Sequence, residues 1–145
     1  MNIKEPENDG YSAGYSLWKD LSDGWIEGPY TNFIPAHAAF ELEASVAKIK
    51  RKNGSMNPDF YILGPNEKIY DITLELFRKS SDFLRIGGFN LLTGQDLIFA
   101  SIAYLENAYL VTKDRAFKTH VASHIKVIDL NDSKNNPIYR REFGI

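Results

Sequence analysis

Cysteine is absent from these 145 residues. That excludes disulfides, thiolate metal sites and cysteine nucleophiles, and it suits a reducing compartment. The cytoplasm is the expected location. Long apolar runs are missing too: no stretch reaches the roughly 18 residues of a membrane-spanning helix. The opening MNIKEPENDG is polar and acidic, not a signal peptide. An excess of one charge is also missing. The formal net charge of −2 gives no general attraction to nucleic acid, so an RNA surface would need a local basic patch. There is no glycine-rich phosphate loop, because Gly87-Gly88 does not fit G-x-G-x-x-G after a strand. No internal repeat or low-complexity segment is seen.

What is present suits one globular domain over residues 1–145. Two Trp, eight Tyr and nine Phe supply bulk for a single core. Residues 1–10 read as a frayed start, with Asn8-Asp9-Gly10 a turn signal. Tyr11, Tyr15, Trp18 and Leu21 predict a helix over 11–22. Phe33-Ile34-Pro35 reads as the end of a short strand. Residues 38–51 predict a helix with Leu42, Val46 and Ile49 as its apolar stripe. Residues 53–66 read as a loop, with Phe60 to Leu63 a candidate strand. Residues 68–72 alternate like a strand. Thr73 opens a helix to about Leu84, with Leu76, Phe77, Ser80 and Leu84 inward. Residues 97–105 read as a buried helix, 108–112 as a strand, and 125–130 as the last strand. Residues 131–145 read as a polar tail without period. Strands alternating with helices predict an α/β fold with a mainly parallel sheet.

Asp96 and Asp114 bracket the helix and strand between 97 and 112. The helix carries the chain ~17 Å away from Asp96, and the strand and its exit return ~20 Å. Both carboxylates are therefore expected at the carboxyl edge of the sheet, where α/β folds bind ligands. The helix after Phe33-Ile34-Pro35 opens at the same edge and offers Glu41 or Glu43 as a third acid. These two lie on opposite flanks of the apolar stripe, so periodicity alone does not choose between them. Three acids at one edge repel and need compensation, by a cation among other means. Carboxylate oxygens without sulfur suit Mg²⁺ or Mn²⁺.

The chain resembles the PIN domains of VapBC-type toxin ribonucleases. The resemblance is carried by Ile34-Pro35 with Ala38-Ala39-Phe40-Glu41-Leu42, by Gln95-Asp96-Leu97-Ile98-Phe99-Ala100, and by Leu110-Val111-Thr112-Lys113-Asp114-Arg115-Ala116-Phe117. The family's pattern is a helix acid six residues after a proline, an acid opening a buried helix, and a T-x-D-x-x-F turn. It covers roughly residues 11–130 and favours Glu41 over Glu43. It implies a three-layer α/β/α sandwich and Mg²⁺- or Mn²⁺-dependent endoribonuclease activity on single-stranded RNA, with an antitoxin as partner. Glu41, Asp96 and Asp114 would be catalytic metal ligands, with Thr112, Lys113 and Arg115 as accessories.

That pattern opens with a buried strand ending in Asp and a Ser or Thr. Residues 1–4 are short and polar, and the helix at 11–22 matches the element that comes after that strand and its first helix. The expectation is therefore a chain that begins just after the first strand, with activity conditional on that strand. Asp9, Asp20 and Asp23 do not follow an apolar strand. A further acid carried by some relatives after the T-x-D turn is replaced by Ala116. The alternative function is a catalytically degenerate PIN-like module that binds protein or RNA. A third reading is an unrelated α/β domain with a small ligand at the same edge.

Each sharp reading has a plain counterpart. Thr93 to Asp96 resembles a capping box, and Asp114 could cap a helix at 115–121. Glu43 reads as a solvated flank. Thr112 could orient a carboxylate or a water, or be an ordinary strand threonine. His120 and His124 are spaced for a metal but lack a third ligand, so they read as surface histidines. Lys48, Lys50, Arg51 and Lys52 suit a helix C-terminus or an RNA backbone. Lys113, Arg115 and Lys118 flank Asp114 and suit phosphate. Phe83, Phe89 and Leu91 either cover the core or form a homodimer face.

Overall fold

The computed structural model describes residues 13–26, 28–52, 66–131 and 138–144. The expected turn at 8–10 and candidate strand at 60–63 lie outside the described residues, as do most of the loop at 53–66 and the start of the helix at 11–22. The described residues fall into two compact units, divided after Gly28 and after Arg78.

In the smaller unit, residues 29–78, strand β1 (Asn32–Pro35) leads directly into helix α2 (Ala36–Lys52). Strand β2 (Glu67–Tyr70) pairs with β1 in parallel, Phe33 opposite Lys68 and Pro35 opposite Tyr70. Phe33 and Tyr70 meet edge to face, their ring centroids 5.7 Å apart. The helix starts two residues earlier than expected. Of its expected stripe, Leu42 is corrected: it is exposed, whereas Ala39 is buried. Glu43, expected to be solvated, is half-buried.

Helix α3 (Leu74–Phe83) runs through the division. Thr73 caps it, its hydroxyl accepting from Leu76 N at 3.1 Å. Leu76, Ser80 and Phe83 are buried, whereas Phe77 is 66% exposed and Leu84 45% exposed. Two of the four expected inward residues thus face outward. Positions 76, 80 and 83 share one stripe of a 3.6-residue helix, and 77 and 84 lie about 100° from 76 and 83 respectively.

The larger unit is layered. Helix α1 (Ala13–Ser22), a 3₁₀ turn at Phe89–Leu91, helix α4 (Gly94–Leu105), strand β3 (Tyr109–Thr112), helix α5 (Arg115–His120), strand β4 (Lys126–Asp129) and helix α6 (Ile138–Phe143) belong to it. β3 and β4 pair in parallel, Leu110 opposite Val127 and Val111 opposite Ile128. Successive strand residues face opposite ways, and the packing obeys that rule. Leu110 and Val127 pack on a core of Phe83, Phe89, Ala100, Ala103, Phe117, Val121 and Ile125. Val111 and Ile128 join a second cluster with Leu17, Leu130 and Tyr139. Helical segments therefore cover both faces of the strand pair, as a parallel sheet requires. The α/β expectation is borne out, with parallel pairing in both units.

Asn107 ends α4 with φ of 48°, and Ala108 N donates to Ala103 O at 2.9 Å. This closing motif turns the chain back into β3. Gly88 has φ of 97°, and a Cβ there would sit 1.8 Å from the His120 carbonyl oxygen. Only glycine allows the segment before α4 to approach α5 so closely.

The expected featureless tail is corrected by α6. Tyr139 is fully buried. Its hydroxyl lies 2.6 Å from both Ser16 Oγ and Asp20 Oδ2 of α1. The single phenolic proton goes to the carboxylate, the stronger acceptor, and Ser16 donates in return. Arg140 donates from Nε to Asp20 Oδ2 at 2.9 Å and from Nη2 to Oδ1 at 3.2 Å. Burial, then the bond to Asp20, holds the Tyr139 hydroxyl above its ordinary pKa. The Asp20 carboxylate likewise raises that of Arg140.

Candidate functional site

The turn from β3 into α5 is built by its own polar side chains. Thr112 Oγ1 accepts from Asp114 N at 2.9 Å. Asp114 then caps α5, its Oδ1 accepting from Ala116 N at 2.8 Å. Across the strand pair, α4 opens at Thr93, whose hydroxyl accepts from Asp96 N at a long 3.4 Å. Asp96 thus stands in the first turn of α4, where the helix dipole favours an anion. Asp114 is a helix cap as expected, while at α4 only the Thr93 half of the expected capping box is formed, so carboxylate oxygens are left over. Among the described residues, the Asp96 carboxylate and Oδ2 of Asp114 have no hydrogen-bond or ion-pair partner.

Asp96 and Asp114 line one cavity of about 430 Å³. Thr112 and Lys113 also line it, and Phe99, Leu110 and Phe117 form its apolar wall. It opens at the carboxyl end of β3, where the out-and-back path of the chain places both acids. A somewhat larger cavity, about 510 Å³, lies at the amino ends of β3 and β4. Its lining includes Tyr104, His124 and Lys126 but no carboxylate. Size does not decide between the two. The smaller one carries the oxygen donors that hard-cation chemistry requires.

The other expected site residues include Glu41 on α2 and Arg115 and Lys118 on α5. Glu41 is exposed on α2 in the smaller unit, with its carbonyl accepting from Ser45 Oγ at 2.8 Å. Arg115 is exposed at the start of α5 and does not line the cavity. Lys118, expected beside a phosphate, is 3.9 Å from Asp129 Oδ2. Asp20 and Asp23 are engaged elsewhere, Asp20 with Tyr139 and Arg140 and Asp23 with Lys19 at 4.0 Å. The His124 ring is tilted against Phe89, with centroids 6.0 Å apart. Among the described residues, no group of three or more acids or histidines is placed to hold a cation. Phe83 and Phe89 are core residues, while Leu91 is 63% exposed. No described helix is long and apolar enough to cross a membrane.

Sequence reasoning missed Asp129 and Asn131. Asn131 Nδ2 donates to the Lys113 carbonyl at 2.5 Å and to Asp129 Oδ1 at 2.8 Å. The available signal was the D-x-N spacing where the last apolar run ends, a pattern that folds polar side chains back on the backbone.

The chain matches none of the curated proteins and none of the solved structures. The model of the PIN domain family matches residues 19–121, a span that holds Glu41, Asp96 and Asp114 together with β1 and β3. On that match, over most of its length, the chain belongs to the PIN domain family, a nuclease-like fold.

Proposed function

We propose that the chain is a divalent-metal-dependent ribonuclease that hydrolyses single-stranded RNA, acting as the toxin of a VapBC-type pair. The observation that carries this reading is the single cavity shared by Asp96 and Asp114 at the carboxyl end of β3. The donors fit the ion. All are hard oxygens, and Mg²⁺ takes one or two carboxylates together with substrate phosphate while keeping several waters. Mn²⁺ accepts the same set. Asp96 and Asp114 would hold the cation, with Glu41 as the third carboxylate of the family's pattern.

Bound there, a divalent cation supplies charge for a phosphate oxygen and acidifies water for attack. The chain's own residues do the rest. Asp96 and Asp114 fix where the scissile phosphate sits. Thr112 holds the Asp114 backbone. Lys113, exposed at the cavity, and Arg115, exposed at the start of α5, attract the phosphates of an incoming strand. The location proposed with this activity is the cytoplasm, with an antitoxin as the partner that controls access to the cavity. The whole chain would act as one PIN domain. A homodimer face would now rest on Leu91, because Phe83 and Phe89 belong to the core.

The test is cleavage of single-stranded RNA with Mn²⁺, comparing the chain with Asp96→Asn. Loss of one carboxylate from the pair should lower the rate at least about a hundredfold, the scale of a lost electrostatic contact to the reacting group. Equal cleavage by both proteins would remove Asp96 from the reaction.

A second reading is a PIN-like module that binds RNA or protein without cleaving. It is favoured by the cavity's own lining, in which the carboxylates are Asp96 and Asp114. Tight Mn²⁺ binding would count against it.

A further inference from the structure

We propose that Asn131 is a positioning residue for the Asp114 carboxylate and acts through the Lys113 carbonyl. This rests on the reading of Asp96 and Asp114 as the cation-holding pair. The peptide group between Lys113 and Asp114 is held at both ends. Its N–H donates to Thr112 Oγ1 at 2.9 Å, and its carbonyl accepts from Asn131 Nδ2 at 2.5 Å. A peptide is planar, so two bonds on opposite ends fix its rotation. That rotation sets the direction in which Asp114 leaves the turn, and its Oδ1 is then tied to Ala116 N.

The Asn131 amide acts just past the end of the strand pair. The last regular pair is Thr112 opposite Asp129, and Leu130 N donates to Thr112 O at 2.8 Å. Beyond it the chain leaves the strand, and the Asn131 side chain donates to the Lys113 carbonyl. Asn131 is itself held: its N and its Nδ2 both donate to Asp129 Oδ1 at 2.8 Å. Lys118 stands 3.9 Å from the other Asp129 oxygen. Asp129 sits at the carboxyl end of β4, yet its charge is committed to this brace. It does not line the cavity that Asp96 and Asp114 share, and it serves as a support for the site. The brace joins α5, the end of β4 and the turn that carries Asp114.

Asn131 is exposed, so its loss should barely move global stability while it frees the turn. Supporting groups behind a metal ligand typically alter affinity tenfold or more. Mn²⁺ binding would be titrated by electron paramagnetic resonance for the full chain, Asn131→Ala and Thr112→Val. Amide hydrogen exchange at Ala116, read on the same proteins, needs no metal. Both variants should bind Mn²⁺ about tenfold more weakly and exchange Ala116 faster. The double variant should add little, since both side chains hold one peptide. Unchanged binding and unchanged exchange in Asn131→Ala would overturn the proposal. If the parent chain binds no Mn²⁺, the cation reading fails. Exchange at Ala116 then decides by itself: faster in Asn131→Ala supports the positioning role, and unchanged overturns it.

Discussion

The two oxygens of Asp114 have different surroundings. One oxygen closes the first turn of α5, and the other remains open to the cavity. The sequence suggested both roles as rivals, and the geometry makes them compatible. This pair of acids was legible because local spacing determines it: a helix out and a strand back bring Asp96 and Asp114 to one edge whatever the rest of the chain does. Gly88 shows the opposite case. Its reason lies in a contact with the His120 carbonyl, which no local pattern contains. Gly88→Ala should destabilise the larger unit by about 1–3 kcal/mol from the positive φ alone, with a backbone clash added. Urea unfolding followed by tryptophan fluorescence would measure it. A midpoint equal to the parent's would contradict the close packing at this point.

At the scale of elements, helices and strands were read from period, and most of them stand within a few residues of where period put them. Facing was less legible. Over α3 and the residue after it, Leu74, Leu76, Phe77, Phe83 and Leu84 spread apolar character over a broad arc, so more than one stripe could be buried. Packing selected 76, 80 and 83. Helix α6 escaped notice because its six residues, IYRREF, are too few to show a period. What holds it is a polar network with α1, made by residues far apart in the chain. That network has a pH signature. The Tyr139 pKa is raised in the folded state, so its stabilising contribution is complete below the ordinary value of about 10. The contribution is lost as pH rises through the folded value. Thermal midpoints measured from pH 8 upward should therefore fall above about pH 10 more steeply in the parent chain than in Tyr139→Phe. Parallel profiles would show that the hydroxyl contributes nothing to that loss.

For the whole molecule, the family pattern and the order of its acids are legible in the sequence, and the family match spans all three. Packing adds most in the larger unit, where helices cover both faces of β3 and β4 and one cavity takes both aspartates. Glu41 is a member of the pattern that belongs to the other unit. The part proposed for it in catalysis rests on the motif, since a helix acid after a strand and a proline is equally at home in solvent. Order in sequence thus told more about family, and packing told more about the site. The central claim is that Asp96 and Asp114 together hold one divalent cation. The most direct measurement adds substoichiometric Mn²⁺ to the isotope-labelled chain and records which amide signals broaden first. The account predicts early broadening at Asp96, Leu97, Lys113 and Asp114, and its disappearance in Asp96→Asn with Asp114→Asn. Early broadening centred on Asp23 or Asp129, or none at all, would contradict it.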